Sequence, residues 1–166
     1  ERYNLFDYSY TSSNSSTSRN HWGEFCKTIS ENLLLNKDST IYEIGSNDGY
    51  LLGLFKKRLN NKVCGIDASK SMCDLATKSG ILTENCVFNE TEAARLVNKR
   101  GLSDLVIANN VYNHSDDPVS FTNGVRTLLK DGGHFVFEVP YWKSTIDSKK
   151  IDQIYHEHVS YYTITS

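Results

Sequence analysis

The sequence predicts a doubly wound α/β fold, in which a mostly parallel β-sheet carries helices on both faces. Short apolar runs of strand type alternate with segments of helical periodicity along most of the chain. The run from 41 to 44 enters a polar loop bracketed by Gly45 and Gly49, and a helical period follows. A second run ends at Asp67, where a carboxylate of such a sheet reaches the hydroxyls of a bound ribose. A ligand site is therefore expected at the carboxyl ends of the strands.

Each element is predicted from its apolar spacing and from the residues at its ends. In chain order we expect a helix at 19–35, a strand at 41–44, a helix at 51–60, a strand at 63–67, a helix at 69–79, a strand at 81–87, a helix at 90–99, a strand at 104–109, a helix at 117–129 and a strand at 135–139. Gly80 suits a helix C-cap, and Pro118 suits a first helical turn. Asn89 or Thr91 is expected to cap the helix between them. Residues 130–133 predict a tight turn before the last strand.

Residues 1–20 combine several tyrosines with a run of serines and threonines. The serine-rich run taken alone is typical of a flexible linker. The tyrosines just before it favour a segment that packs on a partner or lines a site, because exposed aromatic side chains are better explained by such contacts.

The composition is that of one globular domain with a sizeable core, since 39% of the 166 residues are hydrophobic. A net charge of −2 gives no reason to expect a nucleic-acid partner. Four widely spaced cysteines are typical of reduced core residues and not of a disulfide framework. Neither a membrane span nor a signal peptide is recognisable, so we expect a cytoplasmic monomer without a membrane partner. Because the first residue is Glu1 and not Met, we expect a piece of a longer protein.

The glycine loop predicts a cationic or hydroxyl-rich ligand and not a phosphate. It contains Glu43 and Asp48 but no lysine, and its glycine spacing differs from that of dinucleotide sites. Glycine permits a positive φ and lets a ligand approach the backbone closely. The amino end and ribose of S-adenosylmethionine would suit such a loop. The alternative is an ordinary strand-to-helix turn whose glycines serve geometry alone.

Two polar clusters could perform chemistry. Residues 108–114 follow the fourth predicted strand, so their amides and the His114 imidazole would face a bound substrate. Residues 154–162 contain two histidines, a glutamate and three tyrosines. Histidine is a general base near neutral pH, glutamate can orient it, and tyrosine can donate a hydrogen bond to a developing oxyanion. This set suits proton abstraction next to a carbonyl.

Other interpretations of these histidines stay open. His114 alone could cap a helix or lie on the surface. His156 and His158 would share one face of a strand and could bind a metal ion, whereas Glu157 would point away from them. No third ligand is evident, and we therefore expect no metal at this site.

Several segments together resemble the class I S-adenosylmethionine-dependent C-methyltransferases that act on nucleotide-linked keto-deoxysugars. They are 7–10 with Ser12 and Ser13, 42–52, 108–111 with His114, 137–141 and 154–158. The glycine loop is shared by methyltransferases broadly, whereas the Tyr-His-Glu-His block is the specific part. The resemblance implies a Rossmann-like fold, S-adenosylmethionine as cofactor with S-adenosylhomocysteine as product, and a small-molecule sugar nucleotide as acceptor.

The resemblance also implies a role for each matching residue. His158 would be the base that removes the proton beside the keto group, and Glu157 would assist it. Tyr155 and His114 would contact the sugar or its enolate. The expected cofactor-binding residues are Glu43, Gly45, Asn47, Asp48, Gly49, Asp67 and Asn109, and the expected substrate-binding residues are Asn110, Tyr141 and one or both of Tyr8 and Tyr10.

The family has a small zinc-binding N-terminal domain, a central cofactor domain and a C-terminal substrate domain. This chain resembles the central part: an arm and helix at 1–36, a cofactor domain at 37–142 and the start of a substrate domain at 143–166. Zinc is expected only if the full-length chain carries the N-terminal domain. Two other functions remain open, namely O- or N-methylation of a small acceptor and cofactor binding without catalysis.

Overall fold

Five parallel strands form the central sheet of the computed structural model, which describes residues 11–150, 154 and 157–165. They are β1 (Thr40–Ile44), β2 (Lys62–Asp67), β3 (Thr83–Asn85), β4 (Ser103–Asn109) and β5 (Leu129–Glu138). Their order in the sheet is β3-β2-β1-β4-β5. The strand order therefore reverses between β1 and β4, which is where sheets of this kind bind ligands.

The described part of the chain contains six helices, together with a 3₁₀ turn at Tyr112–His114. They are α1 (Ser16–Asn32), α2 (Tyr50–Leu59), α3 (Lys70–Lys78), α4 (Glu90–Arg100), α5 (Pro118–Leu128) and α6 (Trp142–Asp147). The first three pack on one face of the sheet, and α4 and α5 pack on the other. The predicted doubly wound fold is confirmed.

The side chains of β1 and β4 alternate between two hydrophobic cores. Leu105 and Ile107 pack toward α1 and α2, whereas Val106 and Ala108 pack toward α4 and α5, and all four are fully buried. Strands buried on both faces read as continuous apolar runs, which is why β4 was recognisable in the sequence. All four cysteines are unpaired, as predicted.

Several predicted boundaries were wrong. The first helix begins at Ser16 instead of residue 19, because the side chain of Ser15 caps it by accepting from the N–H of Ser18 at 3.0 Å. The third strand covers only Thr83–Asn85 instead of 81–87. The expected turn at 130–133 lies inside β5, which already pairs with β4 through Leu129.

The predicted helix ends on α3, α4 and α5 hold to within a residue. Asn89 caps α4, since its side chain accepts from the N–H of Glu92 at 2.9 Å. Gly80, with a φ of 79°, directly follows the C-cap residue of α3, Ser79. None of the helices in the described part of the chain is long and apolar enough to cross a membrane.

The contact between α4 and α5 depends on a glycine. A Cβ at Gly124 would lie 3.0 Å from the ring of Phe88 and 3.1 Å from the carbonyl oxygen of Asn89. We expect Gly124→Ala to lower the free energy of unfolding by about 1–2 kcal/mol, because the two helices would have to separate. The measurement is urea unfolding followed by circular dichroism.

The control is Gly23→Ala in α1, where no described heavy atom beyond the neighbouring backbone of the same helix lies within 4 Å of the added Cβ. The free energy of unfolding of this variant should rise by about 0.5–1 kcal/mol, because alanine has a higher helix propensity than glycine. Equal effects of the two substitutions would contradict a packing role for Gly124.

Candidate active site

A cavity of about 390 Å³ opens at the carboxyl ends of β1, β2 and β4. Its volume lies in the range of ligand sites. The predicted site residues that line it are Gly45, Asn47, Asp67, Asn109, Asn110 and His114. The cavity thus occupies the point at which the strand order reverses.

Gly45 lets the loop after β1 lie against the loop after β4. Its φ is 71°, and a Cβ at this position would come within 2.7 Å of the Val111 side chain. Gly49 has a φ of 75°, and a Cβ there would meet Ala76 and Ile81 at 3.0 Å. Both glycines are therefore required by close packing as well as by backbone conformation.

Asp67 is held at the cavity edge by two backbone N–H groups. One carboxylate oxygen accepts from Asn47 and the other from Ser69, each at 2.8 Å. Burial raises the pKa of Asp67, and the two N–H donors oppose this shift. Each carboxylate oxygen retains a second lone pair, so the group can accept hydrogen bonds from two neighbouring hydroxyls of a ligand.

Glu43 lies beneath the glycine loop in the core, with only 6% of its surface exposed. One of its carboxylate oxygens has no hydrogen-bond partner among the described residues. Burial, followed by the charges of Asp67 and Asp48, raises the pKa of Glu43 well above its usual value. Glu43 therefore keeps its proton at pH values where an exposed glutamate has released it, and only a nearby cation would favour its ionised form.

Asn109 ends β4 and lines the cavity. Both polar atoms of its side-chain amide are buried and have no partner in the described part of the chain. A buried amide without a partner is unfavourable by about 1–3 kcal/mol. A polar ligand in the cavity would satisfy it.

The segment before α1 lies on the glycine loop. The N–H of Ser12 donates to the side chain of Asn47 at 2.9 Å, and the hydroxyl of Ser13 donates to Asp48 at 2.6 Å. Asp48 therefore holds the N-terminal segment in place. It is not one of the described residues that line the cavity.

The segment 157–162 docks beside the 3₁₀ turn. The N–H groups of Val159 and Ser160 both donate to the carbonyl oxygen of Asn113 at 3.0 Å. The rings of His114 and His158 lie 5.2 Å apart, and His114 lines the cavity. Residues 108–114 of the first predicted cluster and the described residues 157–162 of the second are thus neighbours in space.

The sequence pattern of a family described as a methyltransferase domain matches residues 18–166. The chain belongs to this family. S-adenosylmethionine is the cofactor of the methyltransferase domain, as predicted. The residues present fit it: Asp67 can accept from ribose hydroxyls, and both polar atoms of the buried Asn109 amide have no partner among the described residues.

A curated relative, the C-methyltransferase NovU of Streptomyces niveus, is 29% identical over 159 residues. The match covers 96% of this chain but only 38% of NovU. The chain therefore spans less than half the length of this relative.

Solved structures show the same fold at low sequence identity. The plantazolicin methyltransferase BpumL in complex with SAH is 15% identical with a TM-score of 0.65, and the match covers 90% of this chain and 64% of that one. A SAM-dependent methyltransferase from Archaeoglobus fulgidus is 15% identical with a TM-score of 0.63, and the match covers 86% and 64% of the two chains.

Other residues with predicted roles lie away from the cavity of the methyltransferase domain or outside the described residues. Glu43 is buried in β1, and Asp48 and Gly49 belong to the glycine loop without lining the cavity. Tyr141 is 41% exposed and pairs with Tyr162. Tyr8, Tyr10, Tyr155 and His156 lie outside the described residues.

Sequence reasoning overlooked some residues of the site. Ser12 and Trp22 line the cavity, although both precede the sheet in the chain. His21 lies 2.9 Å from a carboxylate oxygen of Glu138 at the end of β5. Apolar spacing predicts a helix in this segment, but nothing in the sequence indicates which end of the sheet it reaches.

The raised pKa of Glu43 predicts a specific dependence of stability on pH. The folded chain keeps the Glu43 proton at pH values where the unfolded chain has released it, so its contribution to stability falls as pH rises above about 4.5. We expect Glu43→Gln to raise the free energy of unfolding by at least about 1 kcal/mol relative to the unsubstituted chain between pH 5 and pH 8.

The measurement is urea unfolding of both chains at several pH values in that interval. Glu24→Gln, on the exposed side of α1, is the control and should follow the unsubstituted chain. Parallel pH dependences for Glu43→Gln and the unsubstituted chain would contradict the shifted pKa.

Proposed function

We propose that this methyltransferase domain transfers a methyl group to a carbon atom of a nucleotide-linked keto-deoxysugar. The observation that carries the proposal is the pairing of His114 with His158 beside the cavity, with ring centroids 5.2 Å apart. Two imidazoles at the rim of a cofactor cavity can handle the proton of a carbon acid. The 29% identity to a C-methyltransferase supports the same chemistry.

In the proposed reaction, His158 removes the proton from the carbon beside the keto group, and Glu157 assists it. Tyr155 and His114 contact the sugar and stabilise the charge that develops on the enolate oxygen. S-adenosylmethionine, when bound, supplies an electrophilic methyl group. The residues of the cavity hold the sugar carbon in line with that methyl group, which removes much of the entropic barrier to the transfer.

We propose that Asp67, Asn47 and Asn109 bind the nucleoside and the methionine end of the cofactor. Asn110 and Tyr141, together with Tyr8 or Tyr10, bind the sugar nucleotide in this proposal. We infer that residues 37–142 form the cofactor domain and that 143–166 begin a substrate domain. The docking of residues 159 and 160 on Asn113 supports a contact between these two parts.

Replacement of Asp67 tests the cofactor half. Asp67→Asn places an amide nitrogen against a backbone N–H donor and removes an acceptor for a ribose hydroxyl. We expect the dissociation constant for S-adenosylhomocysteine to rise about 10- to 100-fold, as measured by isothermal titration calorimetry.

Asp74→Asn is the matched control, because Asp74 forms an exposed ion pair with Lys70 on α3. It should bind S-adenosylhomocysteine as the unsubstituted chain does. Unchanged binding by Asp67→Asn would contradict its assignment to the ribose.

Replacement of His158 tests the acceptor half. With a nucleotide-linked keto-deoxysugar in deuterium oxide, the chain should exchange the proton beside the keto group. His158→Asn should slow this exchange by about 100-fold or more, because general-base catalysis contributes at least that much. Mass spectrometry or proton NMR of the sugar measures the exchange.

His134→Asn is the control, since His134 is exposed on β5. Exchange that survives His158→Asn would remove His158 as the base. A stoichiometric metal ion bound by His156 and His158 would overturn the site assignment. Methyl transfer to oxygen or nitrogen without any exchange would favour the O- or N-methyltransferase alternative.

A further inference from the structure

Glu138, the last residue of β5, joins three separate parts of the chain at the cavity rim. One of its carboxylate oxygens lies 2.9 Å from Nε2 of His21 on α1. The other accepts a hydrogen bond from Nδ2 of Asn110, also at 2.9 Å. The carbonyl oxygen of Glu138 accepts from the backbone N–H of Asn110 at 2.6 Å. Both the backbone and the side chain of Asn110 are thus held by one residue.

These contacts determine which way the Asn110 amide faces. An ionised carboxylate can only accept hydrogen bonds, so the amide nitrogen of Asn110 must face Glu138. The amide oxygen, Oδ1, is then directed away from Glu138, and no described residue donates a hydrogen bond to it. Asn110 lines the cavity. Its backbone is fixed in the left-handed region with a φ of 54°.

His21 has its own support. Its ring packs edge-on against Trp22, with ring centroids 4.5 Å apart, and Trp22 also lines the cavity. His21 therefore connects the orientation of Glu138 to the position of α1 beside the cavity. The same helix follows the segment that rests on the glycine loop.

Stability does not account for this arrangement. The side chains of His21 and Glu138 are 49% and 37% exposed. Pairs with that much exposure contribute little to the free energy of unfolding, because water screens them. The specific consequence of the Glu138 contacts is the orientation of one amide at the rim.

We propose that Glu138, supported by His21, is a positioning residue that orients the Asn110 amide so that Oδ1 accepts a hydrogen bond from a hydroxyl of the acceptor substrate. The proposal rests on the proposed function for the identity of the acceptor, a nucleotide-linked keto-deoxysugar. The amide oxygen of Asn110 is a hydrogen-bond acceptor, so it suits a substrate whose hydroxyl group can donate to it. Asn110 selects for that hydroxyl, and Glu138 acts through Asn110.

A charge swap tests the proposal by kinetics. Asn110→Asp places two carboxylates in contact and should raise the KM for the acceptor about tenfold or more with little change in kcat. Glu138→Gln can still accept from Asn110 and should raise KM only about two- to threefold. When both substitutions are combined, the amide introduced at position 138 can donate to the carboxylate introduced at position 110 and accept from His21. In this double variant KM should therefore return to within about threefold of the unsubstituted chain.

Two readouts separate positioning from a general structural role. The affinity for S-adenosylhomocysteine and the melting temperature should stay unchanged in all three variants. Glu24→Gln is the control for the loss of one carboxylate at an exposed position of α1. A double variant as impaired as Asn110→Asp would overturn the proposal, and so would a parallel loss of S-adenosylhomocysteine affinity.

An NMR measurement tests the positioning without any acceptor. The side-chain amide signals of Asn110, assigned by their loss in Asn110→Asp, should show one proton protected from exchange in the S-adenosylhomocysteine complex. Glu138→Gln should shift that proton and shorten its protection, whereas Glu24→Gln should not. Unchanged signals in Glu138→Gln would refute the positioning role. If no keto-deoxysugar is turned over but the signals respond as expected, the proposed acceptor fails and the orientation of Asn110 by Glu138 stands.

Discussion

The close approach of the loops after β1 and β4 is the constraint on which the site depends. Val111 occupies the space where a side chain at position 45 would lie, with only 2.7 Å between its methyl group and an added Cβ. That contact brings the glycine loop beside Asn109 and Asn110, so that residues far apart in the sequence line one cavity. A larger residue at position 45 would push the two loops apart and change the floor of the cavity.

Carboxyl groups at and beneath the glycine loop make the site unfavourable for an anion. Glu43, Asp48 and Asp67 are close enough for the last two to raise the pKa of the first. The carboxylates of Asp48 and Asp67 repel phosphate and favour a ligand that carries positive charge and hydroxyl groups, whereas the buried Glu43 keeps its proton. S-adenosylmethionine has both, which agrees with the family of the chain.

The cavity is bordered by two segments from opposite ends of the described chain. Ser12 and Ser13 hold the N-terminal segment to the glycine loop, and residues 159 and 160 attach to Asn113. The helix α1 connects the first of these segments to Glu138 through His21. The proposed acceptor would therefore meet parts of the chain that lie on both sides of the cofactor domain in sequence.

Local sequence was sufficient to predict the alternating elements, the parallel sheet, the glycine loop and the carboxylate at the end of β2. Each of these depends on neighbouring residues: apolar runs make the strands, and capping residues such as Asn89 begin the helices. The serine run was harder to interpret, because Ser15 is recognisable as a cap only when the chain beyond it is known to be helical.

The partners of the polar groups could not be predicted from local sequence. Burial made Glu43 a proton-holding acid, and the docking of α1 brought His21 to Glu138. Composition and spacing thus determine that a cofactor cavity forms at the end of this sheet. Tertiary packing determines which side chains face the cavity and in which orientation, because hydrogen bonds between distant residues depend on how the helices dock on the sheet.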